Sequence, residues 1–317
     1  MSSRARTRTW KWCCRRVPRA ISADVQKTRN DGAVLSSPEL RQVLSRAADL
    51  FHWVDHPEPA PFDSPPLGNL KVGVDLGTAY LTVAVLNEND QPLTGEYQFA
   101  QVARDGLVVD FVGAVDLVKR MKDSIEKRLG RELTHAASGF PPGVPRVEVQ
   151  ATAHVVEAAG LICTGLVDEP TAANALVGLK NGVIVDVGGG TTGIAVVENG
   201  EVVYTADEAT GGTHFSLVIA GAHDILFEQA ERLKIDPEKQ PELFPVVKPV
   251  LEKVASIVAR HIEGFHVPEI ALVGGTSAFY RAAEVVAEYT GIPTWVPDHP
   301  ALVTPIGMAM HNNVDPS

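Results

Sequence analysis

Two stretches of this 317-residue sequence carry one chemical design: Val74-Asp75-Leu76-Gly77-Thr78 and Val185-Asp186-Val187-Gly188-Gly189-Gly190-Thr191. Each sets an aspartate at the end of an apolar run. A glycine-bearing turn and a threonine come next, and then β-branched residues resume. Glycine lets backbone N–H groups approach phosphate oxygens with no Cβ in the way. Thr78, Thr191 and Thr192 add short hydroxyl donors. Asp75 and Asp186 would repel a phosphate unless a cation stood between them. Mg2+ suits that place, because it keeps several waters and takes carboxylates around them. One such turn would be an ordinary Asp-Gly turn. Two matched ones, roughly a hundred residues apart, read as an internal repeat that clamps the phosphates of ATP from two sides.

Competing glycine motifs fail on context. Gly188 to Gly193 spells G-x-G-x-x-G, but a dinucleotide fold needs a helix directly after it. The next residues, IAVVENGEVVY, are instead a strand run with an Asn199-Gly200 hairpin turn. No G-x-x-x-x-G-K-[ST] loop occurs. Glu169, in Asp168-Glu169-Pro170-Thr171, stands between an apolar run and an alanine-rich helix. A carboxylate there can orient a water toward the γ-phosphate or hold the metal's waters; alone it would only complement the helix dipole. The candidate catalytic residues are therefore Glu169, Asp186 and Asp75, with both aspartates reaching the metal through waters. Gly77, Thr78, Gly188, Gly189, Gly190 and Thr191 are the candidate phosphate contacts. A third turn, Gly274-Gly275-Thr276, lets a base or ribose come close; packing alone would also explain it.

These residues must sit on strands that end at one place. Runs 71–77 and 80–87 flank the first turn, and 183–187 and 194–204 the second. A strand at 161–168 leads to Glu169, one at 269–275 to the third turn, and a last one covers 294–297. Helices are expected over 113–129, 147–160, 171–179, 217–233, 247–264, 277–290 and 302–312. The mixture gives an α/β fold of two duplicated lobes around a nucleotide cleft. Lobe I is placed at 70–180, and lobe II at 181–317 with its C-terminal helix crossing back to lobe I. Ahead of them, 1–35 is expected to be a disordered basic tail, by either of two readings: a transit-like arm or an over-extended start. Residues 36–69 hold an amphipathic helix over 36–54, begun by Ser37, Pro38 and Glu39, and a Pro-rich linker. That helix either docks on a partner's groove or folds back on its own domain. On the first reading, deleting 36–54 spares ATP binding and loses co-localisation.

Composition narrows the partners. Residues 1–30 carry nine Lys/Arg and one acid, which leaves 19 basic and 38 acidic residues, a net −19, for 31–317. So acidic a body repels nucleic acid and anionic membranes, and no apolar run reaches the ~20 residues of a bilayer span. Three cysteines, Cys13, Cys14 and Cys163, form no C-x-x-C pair, which fits the reducing cytoplasm. The ten histidines form no metal-ligand pair.

Taken in order, VGVDLGTAY, DEPTAANAL, VDVGGGTTGIAVV and IALVGGTSA resemble the phosphate, connecting and adenosine motifs of the actin/DnaK/sugar-kinase superfamily, nearest its DnaK-like branch. HPALVTPIGMAM resembles the second connecting motif. Segments 102–115, 138–144, 204–217 and 244–264 are similar to a chaperone-like ethanolamine-utilisation family of bacterial microcompartment operons. The resemblance covers about 70–312. It implies ATP and Mg2+ as cofactors, Glu169 on the lytic water or metal, and Gly274, Gly275 and Thr276 on the nucleoside. It implies ethanolamine-pathway enzymes or a microcompartment shell protein as partners, and a cytoplasmic, microcompartment-associated location. Relatives place a lysine over the γ-phosphate after the first loop. No matching motif occurs here and Arg104 is a substitute, so hydrolysis is expected to be slow or absent. No peptide-binding domain or lid is expected after residue 312. Two alternatives stay open: a nucleotide-gated actin-like scaffold or adaptor, and a small-molecule kinase, for which Asp168 and Asp207 are the nearby candidate bases.

Overall fold

The computed structural model describes residues 36–54, 60–104 and 107–312; the basic segment 1–35 and residues 55–59 of the Pro-rich stretch lie outside them. The described residues fall in one compact unit. Its first sheet has six strands: β1 (Phe51–Trp53), β2 (Lys71–Leu76), β3 (Tyr80–Leu86), β4 (Pro92–Phe99), β7 (His135–Phe140) and β8 (Ile162–Asp168), in the order β1-β4-β3-β2-β7-β8. β5 (Ala103–Arg104) and β6 (Leu107–Val108) form a separate small ladder. The second sheet has five: β9 (Gly182–Val187), β10 (Thr192–Glu198), β11 (Glu201–Glu208), β12 (Ile270–Val273) and β13 (Thr294–Trp295), in the order β11-β10-β9-β12-β13. Without β1 the two orders are the same. The directions also match: β2 and β9 each pair antiparallel with the next strand and parallel with β7 or β12. The repeat seen in the two turns thus extends through both sheets.

Helices fill the corresponding places: α1 (Pro38–Leu50), α2 (Phe111–Leu129), α3 (Arg146–Ala158), α4 (Glu169–Val177), α5 (Gly212–His223), α6 (Phe227–Ile235), α7 (Gln240–His261), α8 (Ala282–Thr290) and α9 (Val303–Met310). α2 shows why they form. Asp110 caps it by accepting from the Gly113 N–H at 2.9 Å, Ala114, Leu117, Val118, Met121 and Ile125 make a buried stripe, and left-handed Gly130 ends it. α4 and α9 cross without room for side chains. A Cβ on Gly307 would overlap the Ala172 carbonyl, and one on Gly73 would sit 2.5 Å from the Pro305 carbonyl oxygen. Two glycines therefore let α9 lie on α4 and on β2.

Strands β4 and β7 were not expected, and the helices depart from expectation in four places. The helix expected over 36–54 ends at Leu50, and Phe51–Trp53 turn into a strand parallel to β4. Phe51 lies on Gly95, where a Cβ would be 2.7 Å from the ring, and Leu40, Leu44 and Ala47 are buried. The helix is folded back, not tethered. The helix expected over 217–233 is two, split at left-handed Asp224. α7 starts at Gln240 and runs through Pro245 and Pro249. With Pro241 these prolines stand four apart on one exposed face, so the missing N–H groups leave the packed face intact. The third glycine turn enters a four-residue 3-10 helix, Gly275–Ala278, before α8.

Candidate functional site

β2 and β9 deliver their aspartates to one cleft. Asp75 stands opposite Thr82 on β3, and Asp186 opposite Gly193 on β10. The first turn is tight: a Cβ on Gly77 would be 2.6 Å from the Tyr80 carbonyl oxygen. The second turn comes against it, since a Cβ on Gly189 would meet the Ala79 Cβ at 2.7 Å. The two glycine loops are therefore neighbours. The carbonyls of the second loop are tied down on one side. Gly188 O accepts from the Gly212 N–H at 2.9 Å and the Thr276 hydroxyl at 2.8 Å, and Gly189 O accepts from the Thr213 N–H at 2.7 Å. A trans peptide sets its N–H opposite its C=O, so the Gly189 N–H points away from Gly212 and Thr276, and the Gly190 N–H away from Thr213.

The acids converge. Asp168 caps α4 by accepting from the Thr171 N–H at 3.1 Å, which puts Glu169 at the first helical position, and Pro170 rests beside Gly193. Burial pushes Asp75 up to about 7, helped by the charge of Asp186. Burial raises Asp186 to about 6 against the pull of the Thr304 hydroxyl, which donates to its Oδ2. Glu169 is driven well above the carboxylate range by burial, then by Asp75, Asp186, Asp207 and Asp168. A set of acids that burden one another suits a divalent cation. Among the described residues no three His, Cys, Asp or Glu side chains are arranged to hold a metal directly; Mg2+ keeps several waters, through which carboxylates can hold it.

The other candidates are spread around this centre. Thr78 and Gly77 are half-buried on the first loop, and Gly190 and Thr191 are buried in the second. Gly274 has φ 82 and its missing Cβ would overlap Asp186 Oδ1, so its glycine is demanded by packing on the aspartate. Gly275 is exposed, and Thr276 braces the second loop through Gly188. Arg104 is exposed on β5, and Asp207 faces Gly193 across the β10–β11 ladder.

Sequence reading missed a buried cluster on α5 and α6. Lys234 Nζ donates to Glu231 Oε2 at 2.7 Å and to the Gly212 carbonyl at 3.2 Å, and the Ser216 hydroxyl donates to the same Glu231 oxygen at 2.6 Å. Lys234 is 8% exposed and Glu231 7%. Burial lowers the lysine pKa, while Glu231 opposes the shift. Glu231 Oε1 is buried without a hydrogen-bond partner, an acceptor that a ligand hydroxyl would satisfy. The signal was the E-x-x-K spacing on α6, hidden by reading α5 and α6 as one helix.

The family model described as type IV pilus assembly protein PilM matches residues 122–314. The ethanolamine utilization protein EutJ of Salmonella typhimurium is 45% identical over 84% of this chain and 91% of its own length. The crystal structure of EutJ from Carboxydothermus hydrogenoformans superposes with a TM-score of 0.79 at 43% identity, covering 86% of this chain and 98% of that one. A chaperone protein HscA homolog of Chromobacterium violaceum is 26% identical over 67% of this chain, which spans 42% of that protein. Two solved structures share the fold at low identity: the PilM-PilN type IV pilus biogenesis complex, with a TM-score of 0.65 at 14%, and MreB 5 of Spiroplasma citri bound to AMPPNP, with 0.64 at 17%. The first covers 80% of this chain and all of its own, the second 77% and 96%.

Proposed function

Because the chain belongs to the EutJ family of ethanolamine utilization proteins, within the actin/DnaK superfamily and the PilM-type family model, we propose that it is an ATP-binding, chaperone-like assembly factor whose two lobes close on Mg-ATP. The observation that carries the reading is the meeting, at Ala79 and Gly189, of the two loops that follow the strands bearing Asp75 and Asp186. The amides of Gly189 and Gly190, with the hydroxyls of Thr78 and Thr191, hold the phosphates. Asp75 and Asp186 hold the waters of Mg2+, which when bound offsets phosphate charge. Glu169 orients a water. Glu231 Oε1 accepts from a ribose hydroxyl and Lys234 fixes that carboxylate in place, beside Thr276. Arg104, the substitute for the relatives' lysine, is exposed on β5, which favours holding ATP over splitting it. The AMPPNP carried by MreB 5 supports a nucleotide in this kind of cleft.

Partners are drawn from the family: ethanolamine-pathway enzymes or a shell protein of a bacterial microcompartment, met in the cytoplasm. Among the described residues no helix is long and apolar enough to cross a membrane. Calorimetric titration of the parent, Asp75→Ala and Asp186→Ala with Mg-ATP tests the site. Parent-like binding by both variants would sink it. Growth of light scattering on adding ATP would turn the reading toward a filament-forming scaffold.

A further inference from the structure

The folded-back N-terminal segment reaches the cleft. β1 sets Trp53 opposite Tyr97 on β4, and the Val54 N–H donates to the Tyr97 carbonyl at 3.3 Å. The Trp53 ring meets Tyr97 and Tyr80 edge-on, with centroids 5.5 and 5.9 Å apart, and Tyr80 meets Phe99 at 5.7 Å. Tyr80 is no remote core residue. It opens β3, its carbonyl lies over Gly77, and Ala79 just before it is the residue Gly189 abuts. The Ala79 carbonyl is fixed in turn by the Ala100 N–H at 3.0 Å. Burial, then the charge of Glu231 from the second lobe, holds the Tyr80 hydroxyl protonated well above its ordinary range. The same segment packs on β13 and α9: Leu40, Leu44 and Ala47 share an apolar cluster with Trp295, Val303 and Ile306.

We infer that Trp53 is a positioning residue of the nucleotide cleft: through Tyr80 it fixes the first phosphate loop, so that residues 36–54 belong to the binding machinery and are not a separable docking arm. The inference rests on the ATP reading above. It reverses the expectation that deleting 36–54 spares ATP binding. A rigid first loop matters because a loop that must be ordered on binding loses affinity to that ordering.

The test uses the full chain. Mg-ATP affinity is measured calorimetrically for the parent, Trp53→Phe and Trp53→Ala, with thermal unfolding midpoints alongside. Loss of the edge-on contact with Tyr80, the one that bears on the loop, is expected to weaken binding about fivefold in Trp53→Ala, with Trp53→Phe in between. A merely structural tryptophan would lower the midpoint and leave the Kd of the folded protein unchanged, which overturns the inference. A second measurement keeps Trp53 and replaces Trp10, Trp12 and Trp295 with phenylalanine, so that Trp53 is the sole indole. Its emission is expected to shift on adding Mg-ATP. Emission indifferent to bound Mg-ATP overturns the inference even if Trp53→Ala fails to fold. A parent that binds no Mg-ATP overturns the ATP reading itself, and the inference with it.

Discussion

Two sheets of the same order and directions differ at one edge. In the first, β1 lies against β4 and α1 covers it; in the second, β11 is an outer strand. The first five residues of β4 are all buried, whereas β11 begins by alternating between exposed and half-buried positions. The change reaches the charges. In the first lobe Glu96 of β4 pairs with Arg128 of α2 at 2.5 Å, with Glu96 3% and Arg128 6% exposed. In the second, Glu208 of β11 pairs with Arg260 of α7, whose side chains are 36% and 60% exposed. One strand-to-helix ion pair thus occurs twice, once dry and once wet. A covered edge converts a pair worth little into one whose disruption is severe, because a lone buried charge has no solvent to turn to.

The largest expected effect breaks the dry pair. Arg128→Ala removes the cation beside Glu96 and leaves the Ser124 hydroxyl donating to the same buried carboxylate. It should cost about 3–5 kcal/mol of unfolding free energy, read from the urea midpoint. A loss no larger than that of a surface pair would mean that β1 and α1 do not seal the edge.

Next comes pH, where the cleft acids should dominate. Asp75 at about 7, Asp186 at about 6 and Glu169, raised well above its ordinary value, all lie above the unfolded carboxylate range. The native state then binds protons that the unfolded chain releases, so the slope of stability against pH is negative. The contribution is full below about 4 and is lost as pH rises through the folded values. The melting midpoint of the ligand-free protein should fall from acid toward neutral pH. Asp75→Asn should raise the neutral-pH midpoint while weakening Mg-ATP binding, the exchange of stability for function that binding sites show. A midpoint that climbs with pH would mean that the acids do not converge.

Much of this was legible in the sequence. The two glycine loops, Glu169 at a helix start and the hairpins were readable because Asp, Gly and β-branched residues there serve local geometry as well as function. β4 was not readable: PLTGEYQF starts with proline and holds a glycine, both poor strand residues. Gly95 is explained only by the Phe51 ring that lies on it, a contact of high sequence separation. β7, His135–Phe140, hides for a related reason. Its Ala-Ala-Ser-Gly centre has small residues where a strand usually shows large ones, and a Cβ on Gly139 would overlap Met308 of α9. Lys234 lies just past the helix expected over 217–233; only its place against Gly212 and Glu231 makes it a buried cation. Gly274 was read as a nucleoside contact, but its contact with Asp186 is invisible until β9 and β12 are paired.

The smallest effect belongs to the wet pair and carries the opposite pH sign. Glu208 is lowered first by its hydrogen bond with His261, whose Nε2 lies 3.1 Å away, and then by Arg260. The Tyr204 hydroxyl and His261 Nδ1 are 2.7 Å apart. One imidazole tautomer serves both contacts, with Nδ1 accepting and Nε2–H donating. A depressed carboxylate contributes stability above its unfolded pKa and loses it as pH falls through the folded one. Arg260→Ala should therefore cost less than about 1 kcal/mol at neutral pH, shrink further in high salt, and vanish in acid. The cleft acids do the reverse, stabilising in acid and straining at neutral pH. If Arg260→Ala proved as costly as Arg128→Ala, the covered edge would not be what separates the lobes, and the burial of β4 would have to be explained by its own residues.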